Sequence, residues 1–152
     1  MNAYSEKYLN DAMRNLGEAF SYALCCCNMQ PDEFAHLFIS SGVADYYGKG
    51  NPKYVVGKSG TELATDIIES SGESMVFPKP QIEYEYYEEY WAGWILAFYQ
   101  WKSGRTYRDI LINIWKIEGL NNRLLFISAF DIYIAIITNI IKTNLSCINN
   151  IN

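Results

Sequence analysis

Along the first part of the chain, Leu9, Met13, Leu16, Phe20, Ala23 and Cys27 recur at spacings of four and three. That period puts them on one stripe of an amphipathic helix about five turns long. Pro31 then stands where a first helical turn tolerates it, with Asp32 and Glu33 at the positive end of the helix dipole. Phe34, Leu37 and Phe38 form the apolar stripe of this second helix, and Gly42 closes it. Residues 48–52, GKGNP, read as a turn, and Tyr54 to Val56 as a short extended run. Ser59 and Glu62 make an S-x-x-E capping box, so a helix starts at about Gly60, buries Leu63, Ile67 and Ile68, and ends at Gly72.

The pattern breaks at residues 72–80, GESMVFPKP, where two prolines mark an internal linker. Beyond it, Trp91, Trp94, Ile95, Phe98 and Trp101 give another helical stripe, ended by Gly104. Thr106 and Asp109 resemble a further capping box, launching a helix with Ile110, Leu111, Ile114 and Trp115. From Gly119 onward Ile and Asn dominate. The apolar run 124–141, LLFISAFDIYIAIITNII, spans about 27 Å as a helix and carries Ser128, Asp131, Thr138 and Lys142 on one thin polar stripe. A buried helix showing solvent one narrow edge is the expectation. A membrane segment is the alternative, against which Asp131 near its middle weighs about 2.5–3.5 kcal/mol.

The periodicities together predict a mainly α fold, a single-domain helical bundle of about five to six helices with one short extended segment. Residues 1–118 form the helical domain, with its internal linker near 72–80, and 119–152 an Ile/Asn-rich C-terminal helix and tail. Half of the 152 residues are apolar, which is enough for a real core. The net charge of −5 argues against direct nucleic-acid binding, because neutralising phosphates needs a basic face, and it favours a partner protein with a basic surface. Cys25, Cys26 and Cys27 are consecutive, so on a helix they point about 100° apart and converge on no metal. With Cys147 far away, all four read as reduced, mostly buried small apolar residues of a cytoplasmic protein.

Catalytic chemistry finds little support. The stretch YVVGKSGTEL, 54–63, hints at a phosphate-binding loop, but the template needs a glycine five residues before Gly57, and Pro52 stands there. His36, the one histidine, falls inside the stripe Phe34–Leu37–Phe38 and reads as a partly buried structural residue. No catalytic residue, cofactor or metal site is expected. The basic trio Lys102, Arg105 and Arg108 flanks a helix–turn–helix, but cations are favoured at a helix C-terminus in any case.

Aromatic density is the feature left over. EYEYYEEYWAGWILAFYQW, residues 83–101, first alternates acids with tyrosines and then becomes rich in tryptophan. Core packing accounts for Trp91, Trp94, Phe98 and Trp101 but leaves Tyr84, Tyr86, Tyr87, Tyr90 and Tyr99, which cannot all face inward beside those indoles. Tyrosine and tryptophan are enriched at protein interfaces. The candidate partner-binding residues are therefore Glu83, Tyr84, Glu85, Tyr86, Tyr87, Glu88, Glu89, Tyr90 and Trp94, with the glutamates steering a basic partner. Gly93, in mid-helix, signals close approach by another backbone or a ligand.

Two stretches also carry a resemblance. FAHLFISSGVADYY and YVVGKSGTELATDII, within 34–68, resemble a small uncharacterised bacterial family. EYWAGWILAFYQWKSGRTYRDI, 89–110, is similar to a Tyr-Trp-x-Gly-Trp motif in small proteins of gut Firmicutes. Both kinds tend to be encoded near toxin–antitoxin modules. The resemblance implies an antitoxin or accessory role, with a toxin as partner. The acidic charge leaves one alternative, an anti-defence inhibitor, phage- or mobile-element-encoded, that occupies a nuclease channel; the apolar run 124–141 leaves another, a small membrane-associated effector acting through it.

Overall fold

The first apolar stripe becomes the hub of the molecule. In a computed structural model, which describes residues 2–80 and 87–117, α1 (Leu9–Ser21) continues into a π-helical turn, Tyr22–Cys26. There follow α2 (Pro31–Ser40), α3 (Val43–Gly48), α4 (Pro52–Val55), α5 (Gly60–Glu69), α6 (Glu88–Ser103) and α7 (Tyr107–Ile117). A 3-10 turn, Glu6–Tyr8, leads into α1. The fold is a mainly α single domain, with no strand among the described residues.

Most boundaries fall where the capping chemistry puts them. Ser59 Oγ accepts from the Glu62 amide at 3.2 Å, and the Ser59 amide donates back to Glu62 Oε2 at 2.8 Å. Gly104 ends α6 with a positive φ of 68°, and Thr106 Oγ1 accepts from the Asp109 amide at the start of α7. The run Tyr54–Val56 departs from expectation. Instead of extending, the chain forms the helical turn α4, because Asn51 caps it by accepting from the Lys53 amide and Pro52 sits at its first position. An Asn-Pro start outweighs two β-branched residues here.

Packing centres on α1, which lies against α6 and α5. The α1–α6 crossing brings backbones together. A Cβ on Gly93 would meet the Leu16 carbonyl carbon at 2.8 Å and Gly17 Cα at 3.0 Å, and one on Gly17 would meet the Tyr90 carbonyl oxygen at 2.9 Å. On the other side of α1, a Cβ on Gly60 would lie 2.7 Å from the Asn15 carbonyl oxygen. Around this hub Phe20 meets Phe34 edge-on at 5.2 Å, and Phe38 meets Tyr107 at 5.0 Å.

Two buried amides fix the connections. Asn15 Nδ2 donates to the carbonyls of Val55 (2.7 Å) and Lys58 (3.1 Å). Gln100 Nε2 donates to those of Gly48 (3.1 Å) and Arg105 (3.0 Å). The linker at 73–80 has no regular structure but lies against the body of the domain: Met75 and Phe77 pack on the core and Tyr22 Oη donates to the Pro78 carbonyl at 2.6 Å. No described helix is long and apolar enough to cross a membrane. The run 124–141, the whole tail 119–152 and the Trp115 side chain lie outside what is described.

Two predictions follow from this packing. Gly93→Ala drives a methyl into the α1 backbone rather than into a flexible side chain. It should cost about 2–3 kcal/mol, read as a lower denaturant midpoint. The second concerns the interior tyrosines. Burial pushes the hydroxyls of Tyr4, Tyr47 and Tyr107 above the ordinary tyrosine value of 10.0, with neighbouring Tyr4 adding to the effect on the other two. A raised folded-state value means the fold favours the protonated phenol. Its stabilisation is complete below pH 10 and is lost as pH rises beyond it. Absorbance at 295 nm should therefore show these three tyrosines ionising together with alkaline unfolding rather than ahead of it.

Candidate aromatic docking face on helix α6

The helix α6 (Glu88–Ser103) is apolar almost all round, so its sequence pattern leaves the inward face undecided. The Gly93 crossing decides it. No side chain fits at Gly93, where the α1 backbone presses close, and Ala92, Leu96 and Ala97 are buried beside it. Tyr90 lies over Gly17 and is 5% exposed, and Tyr99 and Trp101 are buried too. Trp101 Nε1 donates to the Tyr4 carbonyl at 2.8 Å.

This reverses part of the expectation. Trp91 is exposed rather than inward, Trp94 and Phe98, next in the same row, pack on the core with one side open, and Tyr90 and Tyr99 are inside. Trp91 is 41% exposed, and Trp94 and Phe98 are half-buried. The row is continuous: Trp91 meets Trp94 edge-on at 5.6 Å, Trp94 stacks on Phe98 at 6.2 Å, and Phe98 meets Trp101 at 6.3 Å. Tyr87, 54% exposed, stands at the start of the helix beside exposed Glu88 and half-buried Glu89. Of the sequence candidates, Tyr87, Glu88, Glu89 and Trp94 therefore share the N-terminal and outer part of α6. Tyr90 belongs to the helix crossing. Glu83, Tyr84, Glu85 and Tyr86 lie outside the described residues. Trp91, which sequence reasoning placed in the core, joins the face; the Gly93/Ala97 pair was the signal that could have oriented the helix.

Beside this face lies the cysteine run. Cys25 is exposed and Cys26 and Cys27 are half-buried, all three as free thiols, so they are less buried than expected. Partial burial raises the Cys25 thiol above its ordinary value, and Glu89 nearby raises it further. That holds it in the unreactive protonated form. His36 is exposed on the outer side of α2, not part of the core, because Phe34, Ala35, Phe38 and Ile39 supply the buried face. No three His, Cys, Asp or Glu side chains converge among the described residues.

The GKS stretch has a structural use instead of a phosphate. The amides of Val56 and Gly57 donate to the Pro52 carbonyl, and that of Ser59 donates to Glu62. Lys58 Nζ pairs with Asp66 Oδ2 at 2.5 Å. The amides of Gly57 and Ser59, which a phosphate cradle would use, are thus already bonded. No family model, curated protein or solved structure matches the chain, so the site rests on its own geometry.

The two tyrosines at the start of α6 should separate cleanly. Tyr90→Ala empties the space over Gly17 and should cost about 3–5 kcal/mol, whereas Tyr87→Ala should stay within about 0.5 kcal/mol. Urea unfolding of both variants checks this; equal losses would mean that Tyr87 is part of the core.

Proposed function

We propose that the chain is a non-enzymatic protein-binding module, an antitoxin-like neutraliser that lays the outer face of α6 on a basic surface of its partner. The observation that carries this reading is the contiguous Trp91–Trp94–Phe98 row at the edge of the core, with Trp91 41% exposed and Trp94 and Phe98 half-buried. Single exposed apolar residues are ordinary on a protein surface, but a joined row of indoles is not. Tryptophan and tyrosine give large contact area with few rotatable bonds, which is why they dominate binding energy at interfaces. Tyr87 extends the row, and Glu88 and Glu89 give it an acidic end.

The partner class follows from charge. A protein carrying a net −5 with carboxylates at the edge of its apolar face attracts a basic partner and repels nucleic acid. The toxin partner comes from the sequence resemblance. A nuclease whose nucleic-acid channel is basic meets the same electrostatic requirement, and such an inhibitor would act through the same face. The identity of the partner separates the two, together with competition by DNA or RNA for the nuclease.

The test is affinity purification of the tagged full-length protein from its host beside two variants, W91A/W94A and E88Q/E89Q. The expected result is one stoichiometric basic protein whose capture falls at least about tenfold with the first variant. With the second it should associate more slowly and depend less on salt. Capture that the double tryptophan variant leaves undiminished would sink the assignment of this face.

A further inference from the structure

A second site lies at the opposite end of α6. Gln100 ties the Gly48 carbonyl, at the end of α3, to the Arg105 carbonyl, in the turn before α7. These two turns form the walls of a cleft of about 240 Å³, closed on a third side by Ala3. Ala3 is held there by donating its amide to the Trp101 carbonyl at 2.9 Å. The volume is below the roughly 300–1,000 Å³ of pockets for drug-sized ligands, so an occupant would be a small metabolite.

In an acidic protein the charges of this cleft are unusual. Lys49 from one wall and Arg105 from the other both line it, and α7 begins here at Tyr107, just after Thr106. The Asp109 amide is taken by Thr106, but the positive end of the α7 dipole still adds to the pull on an anion. Arginine offers a planar fork to a tetrahedral oxyanion, and lysine a point charge.

Acceptors stand in the same cleft. Asp45 lines it, and the Gln100 side chain, 2% exposed, keeps its Oε1 without a hydrogen-bond partner among the described residues. These oxygens repel an anion but receive hydroxyl donors. A ligand must therefore present a negative group to Lys49 and Arg105 and hydroxyls to the other side.

We propose that this cleft binds a small phosphate monoester bearing free hydroxyl groups. The site is separate from the aromatic row and does not depend on the protein-binding reading. Amide-resolved NMR titration of the full-length protein tests it, with glycerol 3-phosphate, glycerate and glycerol as probes. Glycerol 3-phosphate should shift the amides of Gly48, Lys49, Arg105 and Thr106 saturably, with glycerate binding more weakly and glycerol not at all. The variant K49Q/R105Q changes only exposed side chains, so it should keep the remaining spectrum and weaken binding at least tenfold. Shifts that never saturate, or that spread equally to Lys7 and Lys53, would overturn the proposal as general charge attraction. Glycerate binding tighter than glycerol 3-phosphate would overturn the phosphate assignment.

Discussion

The backbone crossing of α1 and α6 is the constraint on which the rest of the molecule depends. Two helices normally keep 8–10 Å between their axes because side chains stand between them. Here Gly17 and Gly93 remove those side chains at the point of contact, and the Leu16 backbone lies directly against Gly93. Such contact gains dispersion energy over many atom pairs, and it fixes the rotation of α6 about its own axis. Once Gly93 faces α1, the 100° step per residue turns Trp91 outward and leaves Trp94 and Phe98 at the edge of the core. The position of the aromatic row is thus a consequence of two missing methyl groups.

A second layer of order comes from donors rather than apolar area. Asn15 and Gln100 each spend an amide on two backbone carbonyls: those of Val55 and Lys58 at the end of α4 and before α5, and those of Gly48 at the end of α3 and Arg105 in the turn before α7. Tyr47 Oη adds a bond to the Ala12 carbonyl at 2.7 Å. The short helices α3 and α4 have too few turns to hold themselves, since helix nucleation is costly and short helices are marginal alone. They are held by these buried polar contacts to α1 and α6. Leaving any of the four carbonyls unpaired would cost its desolvation as well as the bond. The cleft beside Lys49 and Arg105 takes its shape from the Gln100 clamp.

Helix positions were legible wherever capping chemistry is local. The Ser59–Glu62 box, the Pro31 start, and the stops at Gly42 and Gly104 each depend on residues within one turn, and the structure has them. The close approach at Gly93 was legible as well, because glycine in mid-helix costs about 1 kcal/mol relative to alanine and needs a reason. What sequence could not give was the direction α6 faces. With apolar residues on all sides, size had to decide, and only the partner helix reveals that small residues mark the inner face. Preferring the largest residues for the core therefore put Trp91 inside and Tyr90 outside. Tyr54–Val56 misled for a similar reason: β-branched propensity is weak against an Asn cap followed by proline. The cleft was invisible because Lys49 and Arg105 are far apart in the chain and meet only through Gln100.

The same crossing bears on how well the outer face of α6 could bind. A contact surface loses affinity when side chains must be ordered on association, at about 0.5–1.5 kcal/mol for each flexible one. In α6 the backbone is locked against α1, and each ring of the row already rests on the next, from Trp91 to Trp94 to Phe98. Little freedom remains to be lost. The glutamates at the helix start have two roles that pull apart experimentally. Next to the positive end of the dipole, Glu88 and Glu89 stabilise α6 whether or not anything binds. Only their long-range field acts on an approaching partner, and salt screens that field within a Debye length of about 8 Å at physiological ionic strength. A dependence of association rate on salt that survives when stability is held constant therefore belongs to recognition, and the remainder to the helix.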